Sequence, residues 1–365
     1  MATNAAPGGP TERLEGYVYN AWYMAGWVSE LNAELSSVKI LNQPIVLYRT
    51  EAGRWVAFDD LCPHKLVPLS FGKRIGDCLR CTYHGLKFAE DGRCVEIPGQ
   101  PIVPAAVRVR TYPAVEKHGG VWIWMGTAER ADPSVMPAII GEGDAGYRVF
   151  SQSIEIHGSA RLIWDNLMDL THIPFLHFNS LVAGDQAAAA AVFAGEADKN
   201  SIPHDRGILM KTWQTYPGRP ELVGHNRPLD EYAVTDLSAP GVFAISIRSY
   251  EAGTRDEYPT GEVPADRLVL EQSGCQVVVP ITETSCKIFH NVGTWDRAPS
   301  DRTRSRANSK AIVEDKLVIE AQQASMHANP ESKPLTLAMD RNVVRFRLIM
   351  TRLLKQEAEF RVAAE

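Results

Sequence analysis

An α+β fold is predicted for this chain, on three observations. Short runs rich in β-branched and aromatic residues, separated by turn residues, fill 16–126; longer runs of the same kind recur over 207–295; helical periodicity is confined to 160–172, 305–326 and 340–360. Strands and helices therefore come in blocks, not in the regular alternation of a doubly wound parallel sheet. At about 100–200 residues per domain, 365 residues predict two domains. The expected boundaries are a flexible lead-in over 1–16, an antiparallel β domain over 17–145, and a domain of antiparallel sheet flanked by helices over 146–365.

Each element has a local reason. IVLYR at 45–49, RWVAFDD at 54–60 and GGVWIWMG at 119–126 read as strands. LKFAEDGRCVEIPG at 86–99 reads as a hairpin turning at Asp91-Gly92, residues that accept the positive φ of a primed turn. The stretch 128–146 reads as a linker. Leu162, Ile163, Leu167 and Leu170 recur near helical spacing until Pro174 interferes, which predicts a helix over 160–172. The Ala-, Gly- and Asp-rich stretch 183–206 is read as a lid over a pocket or a plain surface loop. GVFAISIRSY and CQVVVPIT are strands, and the two amphipathic runs at 305–326 and 340–360 are helices. There is no internal repeat, and neither GxGxxG nor GxxxxGK[ST] occurs.

A composition of 45% hydrophobic and 22% charged residues excludes a wholly disordered or collagen-like chain. The net charge of -6 gives no general attraction to nucleic acid or to an anionic membrane. No run approaches the roughly 18 apolar residues of a membrane span, and MATNAAPGGPTER has neither the basic start nor the apolar core of a secretory signal. A cytoplasmic protein without nucleic-acid or membrane partners is expected.

Four of the six cysteines (Cys62, Cys78, Cys81 and Cys94) crowd into 33 residues that also hold His64 and His84, which points to metal before disulfides. Cys62-Pro-His64 and Cys81-Thr-Tyr-His84 each present one thiolate and one imidazole. A structural zinc finger pairs like with like, so this mixed order suits Cys₂His₂ zinc less well. It suits a Rieske [2Fe-2S] centre, in which one iron takes two cysteines and the other two histidines. Cys78 and Cys94 are expected to pack as small hydrophobes.

A second constellation lies in NLMDLTHIPFLH, where His172 and His177 are five residues apart across Pro174. On a regular helix they would diverge by about 140°, so chelation of one ion requires a distorted turn, for which the proline is a source. Alone, this pair is as well explained by packing or solvation.

The segment CPHKLVPLSFGKRIGDCLRCTYHGLKF resembles the cluster-binding segment of Rieske non-haem iron oxygenases, and NLMDLTHIPFLH resembles their mononuclear iron segment, in the same order along the chain. The resemblance runs over roughly 19–346 and is closest to the branch containing phthalate, vanillate O-demethylase and dicamba monooxygenase oxygenases. It implies one [2Fe-2S] cluster per chain, with Cys62 and Cys81 on one iron and His64 and His84 on the other. It also implies one mononuclear Fe(II) held by His172, His177 and a carboxylate, leaving adjacent positions for O2. Asp315 matches the family's acid on a late helix, with Glu314 and Asp340 as weaker candidates. The ordinary alternative for Asp315 is a solvated helix charge balanced by Lys310 or Lys316.

Asp169 stands one helical turn before His172, so its carboxylate could accept the imidazole's free proton. By resemblance an acid here also links the cluster histidine of one subunit to the iron of the next, and otherwise it compensates a helix terminus. Asn166 either approaches the iron or caps and packs. Gln276 and His290, on the later strands, are candidates to orient a polar group of the substrate.

The resemblance implies the terminal oxygenase of a multicomponent system, a homotrimer reduced by a ferredoxin or an NAD(P)H-dependent reductase or both. Its expected reaction is oxidative O- or N-dealkylation of an aromatic compound with release of an aldehyde. Ring or benzylic hydroxylation by the same iron is the alternative. A protein of another class, a Rieske electron carrier or redox sensor, would lack a working mononuclear site.

Overall fold

The computed structural model describes residues 13–139, 147–181, 200–216, 227–295 and 301–364. The chain forms two compact units, one of Met1–Met136 with Pro280–Thr282, the other of Pro137–Val279 with Glu283–Glu365.

The first unit is built of three small antiparallel sheets. Strand Gly120–Trp124 lies between Trp22–Trp27 and Ala114–Lys117. A second sheet runs in the order Ser36–Ile40, Gln43–Arg49, Trp55–Asp59 and Thr111–Tyr112. The third is a meander of Lys73–Ile75, Cys78–Arg80, Lys87–Phe88 and Cys94–Glu96. The second and third sheets share one core, in which Val46, Tyr48 and Phe58 pack with Leu79, Phe88 and Cys94. Cys62 and Cys81 belong to that core, so both cluster loops are rooted in it.

The predicted hairpin is present, but its turn is of another kind. Gly92 alone takes a positive φ, of 77°, and Asp91 does not. The turn closes with the Gly92 N–H on the Ala89 carbonyl at 2.8 Å, and the Ala89 N–H bonds the Arg93 carbonyl at 2.9 Å. That is the three-residue loop with a left-handed closing glycine, in place of the two-residue primed turn.

The second unit carries a seven-stranded antiparallel sheet. Its spatial order is Tyr147–Ile156, Ser285–Trp295, Leu268–Thr282, Val242–Glu251, Leu229–Ser238, Gly207–Tyr216 and Ser201–Pro203. Helices Ala160–Met168, Asp301–Ala328 and Arg341–Ala364 pack on it. Blocks of antiparallel strands with flanking helices make this an α+β protein, as expected. Trp164 stacks edge-on against Phe346 with ring centroids 6.0 Å apart, joining the first and last of these helices.

The helix expected over 160–172 stops at Met168. Asp169, at φ -113° and ψ 89°, leaves the helical region, and its side chain accepts the Thr171 N–H to start the 3₁₀ turn Leu170–His172. A polar side chain that satisfies the next turn's backbone here outweighs continuation of the apolar period. The short helix Ile173–Leu176 follows, with Pro174 in its first turn, where no backbone donor is lost. The expected lead-in as far as residue 12, linker residues 140–146 and most of the expected lid, 183–199, lie outside the described residues. Among the described residues, no helix is long and apolar enough to cross a membrane.

Candidate metal centres

The two cysteine loops share one construction. In each, the cysteine N–H bonds the carbonyl five residues on: Cys62 to Val67 at 2.9 Å, and Cys81 to Leu86 at 2.8 Å. In each, the residue four after the cysteine donates back to the cysteine carbonyl, and that residue takes a left-handed φ, 59° at Leu66 and 75° at Gly85. Gly85 is also needed sterically, because a Cβ there would stand 2.8 Å from Pro98 Cγ.

The loops turn sulfur inward and imidazole outward. Cys62 and Cys81 are each 2% exposed, whereas the exposed rings of His64 and His84 lie 4.5 Å apart. Burial pushes the Cys62 thiol up to about 11, and the His64 and Lys65 backbone N–H groups aimed at its sulfur oppose this. Two core sulfurs beside two surface imidazoles are the donor set that an asymmetric two-iron cluster requires. All six cysteines are free. Cys94 packs in the core as expected, and Cys78 is half-buried.

The second constellation closes around the distorted turn. The Nε2 atoms of His172 and His177 stand 3.2 Å apart, and Asp315 Oδ1 lies 3.2 Å from His177 Nε2 and 3.7 Å from His172 Nε2. Donors about 2.1 Å from a common ion are separated by about 3.0–3.4 Å in octahedral or tetrahedral geometry; two of the three separations fall in that range and the 3.7 Å one exceeds it by a few tenths, so a small side-chain shift brings all three onto one metal ion. The outward nitrogens are both occupied. His172 Nδ1–H donates to the Asp169 carbonyl at 2.6 Å, and His177 Nδ1–H donates to Glu314 Oε2 at 2.9 Å. Both imidazoles thereby point the Nε2 lone pair at the carboxylate, an arrangement that a cation satisfies.

Charge around the pair is uneven. Burial lowers the His172 pKa below its ordinary value. For His177 burial acts in the same direction, but hydrogen bonds and charge from Asp315 and Glu314 outweigh it and raise the pKa. Burial would raise the Glu314 pKa, yet bonds from Ser180 and His177 hold it below the ordinary value.

Asp315 reaches the site because it shares the buried stripe of its helix with Ala311, Ile312 and Ile319. Neither lysine expected to balance it does so: Lys310 donates to the Asn179 carbonyl, and Lys316 to the Glu155 carbonyl and Glu320. Asp340 is elsewhere, accepting the Leu337 N–H at 2.6 Å. Glu314 lies behind His177 and also accepts the Ser180 hydroxyl at 2.5 Å.

Asn166 Nδ2 donates to Asp315 Oδ1 at 3.0 Å. The Asp169 contact differs from the one expected, since its backbone carbonyl meets His172 while its carboxylate binds the Thr171 N–H and hydroxyl. The break in the helix at this residue turns the carbonyl toward the ring. Gln276 and His290 sit on neighbouring strands, and no hydrogen bond joins either to the three donors. Burial pushes the His290 pKa down to about 4. Ser180 carried no sequence signal, and Glu314, expected only as a weaker candidate ligand, stands instead as the acceptor behind His177.

Two family models match successive parts of the chain. Residues 21–113 match the Rieske [2Fe-2S] domain, and 156–356 match the vanillate O-demethylase oxygenase C-terminal domain. The chain is 31% identical to the toluene-4-sulfonate monooxygenase system iron-sulfur subunit of Comamonas testosteroni, over 93% of this chain and 98% of that protein. It is 30% identical to the chloroacetanilide N-alkylformylase oxygenase component of Rhizorhabdus wittichii, over 95% and 99%. The crystal structure of dicamba monooxygenase bound to 3,6-dichlorosalicylic acid superposes with a TM-score of 0.80 at 29% identity, covering 94% of this chain and 99% of that one.

Proposed function

This chain belongs to the Rieske oxygenases of the vanillate O-demethylase type, and from that premise we propose that it dealkylates an aromatic ether or N-alkyl compound as the terminal oxygenase of a multicomponent system. The observation that carries the reading is the convergence of His172, His177 and Asp315 in a chain that also holds the Cys62, His64, Cys81 and His84 set. When bound, the cluster supplies single electrons, and the mononuclear Fe(II) supplies a site for dioxygen beside the substrate.

The chain's own residues have distinct tasks. Cys62 and Cys81 hold one cluster iron, and His64 and His84 hold the other. His172, His177 and Asp315 hold the mononuclear iron. Glu314 keeps the His177 proton on Nδ1, the Asp169 carbonyl does the same for His172, and Asn166 fixes the rotamer of Asp315. For a methyl ether the reaction balances as ArOCH₃ + O₂ + 2 e⁻ + 2 H⁺ giving ArOH, CH₂O and H₂O. The hydroxylated carbon breaks its bond to oxygen, or to nitrogen in an amine or amide, as the aldehyde leaves.

The proposed electron source is a separate ferredoxin or NAD(P)H-dependent reductase, a reading supported by relatives described as oxygenase components or as the iron-sulfur subunit of a monooxygenase system. A cytoplasmic homotrimer is the proposed working form, in which the Asp169 carboxylate side links the cluster of one subunit to the iron site of the next. Exposed apolar residues support an assembly, among them Leu66, Phe71 and Tyr83 near the cluster loops and Leu317 and Val318 on the Asp301–Ala328 helix. Similarity to a toluene-4-sulfonate monooxygenase subunit favours one second reading, hydroxylation of a benzylic or ring carbon.

A single turnover tests the proposal. The iron-replete protein is reduced chemically without air, mixed with oxygen and a panel of aryl methyl ethers and N-alkyl anilides, and assayed for aldehyde. Aldehyde with the dealkylated product supports it. Hydroxylated product without aldehyde selects the second reading, and cluster reoxidation with no product leaves an electron carrier.

A further inference from the structure

The broad sheet of the second unit has two buried faces of different character. One carries the aromatic cluster Trp213, Tyr232 and Tyr250, covered by Val263 and by Thr260, whose carbonyl accepts the Tyr232 hydroxyl. The other carries Met210, whose sulfur accepts from Asn342 Nδ2 of the C-terminal helix at 3.4 Å, so this face looks toward the helices. Directly paired antiparallel residues point to the same side, and alternate residues along a strand share it. Gln214, Glu231 and Ser249 pair across three adjacent strands on the helix-facing side. One repeat along, the row is Thr212, Ala233, Ile247 and Gln272.

Two side chains of these rows, Glu231 and Gln272, are not fully satisfied by the fold. Glu231 is 5% exposed, and its one bond is from the Ser249 hydroxyl at 3.4 Å, with no cation beside it among the described residues. Gln272 is 7% exposed, and its Nε2 has no hydrogen-bond partner. Asp230, the next residue but on the opposite face, shows what a structural acid looks like here: it accepts from the Thr215 hydroxyl and from the Gly253 and Arg255 N–H groups. A buried carboxyl with one weak bond and a buried amide donor with none call for partners from outside the chain. Between them, Ala233 and Ile247 are only partly buried and offer an apolar surface for a ring.

We propose that Glu231, with Ser249 and Gln272, forms the substrate's polar-group subsite and selects an aromatic compound bearing a hydrogen-bond-donating nitrogen, an amide or a protonated amine, over a carboxylate or sulfonate. The inference rests on the reading of the chain as a dealkylating oxygenase, which puts the substrate beside the iron, and on the packing of the helix that leads into the iron segment, Ala160–Met168, against the strand Leu229–Ser238 that carries Glu231. Glu231 accepts from the nitrogen, and Gln272 donates to an acceptor at the other side of the ring. An anionic substituent would face a carboxyl group that has no neutralising cation among the described residues.

The test uses the iron-replete holoenzyme and four probes that share one ring and one methyl ether: 4-methoxybenzamide, 4-methoxybenzylamine, 4-methoxybenzoate and 4-methoxybenzenesulfonate. Binding is read by calorimetry, and formaldehyde by single turnover. The amide and ammonium probes are expected to bind at least about 10-fold more tightly than the two anions, and Glu231→Gln to remove about 10-fold of the ammonium preference. Gln272→Leu is expected to weaken the amide probe and provides the test if Glu231→Gln does not fold with full iron. Anions that bind equally or better, no binding by either nitrogen probe, or unchanged preferences in a folded variant would overturn the proposal. Formaldehyde from the benzoate alone removes the subsite and leaves dealkylation standing. Nitrogen probes that bind without formaldehyde from any probe do the reverse.

Discussion

Removing the Glu314 carboxylate isolates the outer support of the mononuclear site from the ligands themselves. In Glu314→Ala, His177 Nδ1 loses an acceptor at 2.9 Å and the Ser180 hydroxyl loses one at 2.5 Å, within a site where His177 is only 2% exposed. Loss of a charge-assisted hydrogen bond costs about 1.5–3 kcal/mol. Outer support of this kind is worth about 10–100-fold in metal affinity, or about 1.4–2.7 kcal/mol, so the two magnitudes agree. The assay is chelator competition with total iron measured, while the electron paramagnetic resonance of the reduced cluster serves as an internal control. The variant should lose mononuclear iron at about 10–100-fold lower chelator concentration with the cluster signal intact. Asp315→Ala should drop iron from three to two per chain without chelator. Unchanged affinity in Glu314→Ala, or a milder defect in Asp315→Ala than in Glu314→Ala, would refute the assignment of ligand and support.

Three further outcomes follow from the same geometry. Asp169→Asn keeps the backbone carbonyl that holds His172, so all three irons should remain while single-turnover electron delivery slows; loss of iron would show that the carboxylate itself holds the site. Gly85→Ala combines a φ of 75° with a Cβ 2.8 Å from Pro98, a strain of about 1–3 kcal/mol, and should lower cluster occupancy while mononuclear iron is retained. His290 is held neutral, with a folded pKa of about 4, and the unfolded chain takes up its proton first as pH falls through 6.5. Stability should therefore drop by about 2 kcal/mol from this residue between pH 7 and pH 5. Urea unfolding of the metal-free protein and of His290→Gln at both pH values checks it, and equal acid sensitivity in the two would count against the burial argument.

The cluster loops were legible because everything they need is local. Each clamp lies within four residues, and the left-handed positions at Leu66 and Gly85 repeat at the same offset from their cysteines. The two histidines of the second site were legible only through the family resemblance of their segment, and the distortion that brings them together comes from Asp169, which ends the helix before them, not from Pro174, which sits in the first turn of the next one. Local patterning was less reliable where a side chain competed with the period: Asp169 ended a helix that its apolar residues would have continued, and Gly92 closed a different turn from the one the Asp-Gly pair favours.

Sequence alone determined the class of chemistry, because sulfur and imidazole ligands come in short fixed spacings whose geometry a single loop enforces. It did not determine which of two adjacent acids would ligate. That depends on the rotation of the Asp301–Ala328 helix, which places Asp315 on the buried stripe and Glu314 behind His177. Nor could it show that Glu231, Ser249 and Gln272 would share one wall, since strand register across two antiparallel pairings sets their meeting. Contacts between residues distant in sequence follow from how whole elements bury their apolar faces, so only the tertiary structure decided the support of the iron site and the character of the wall.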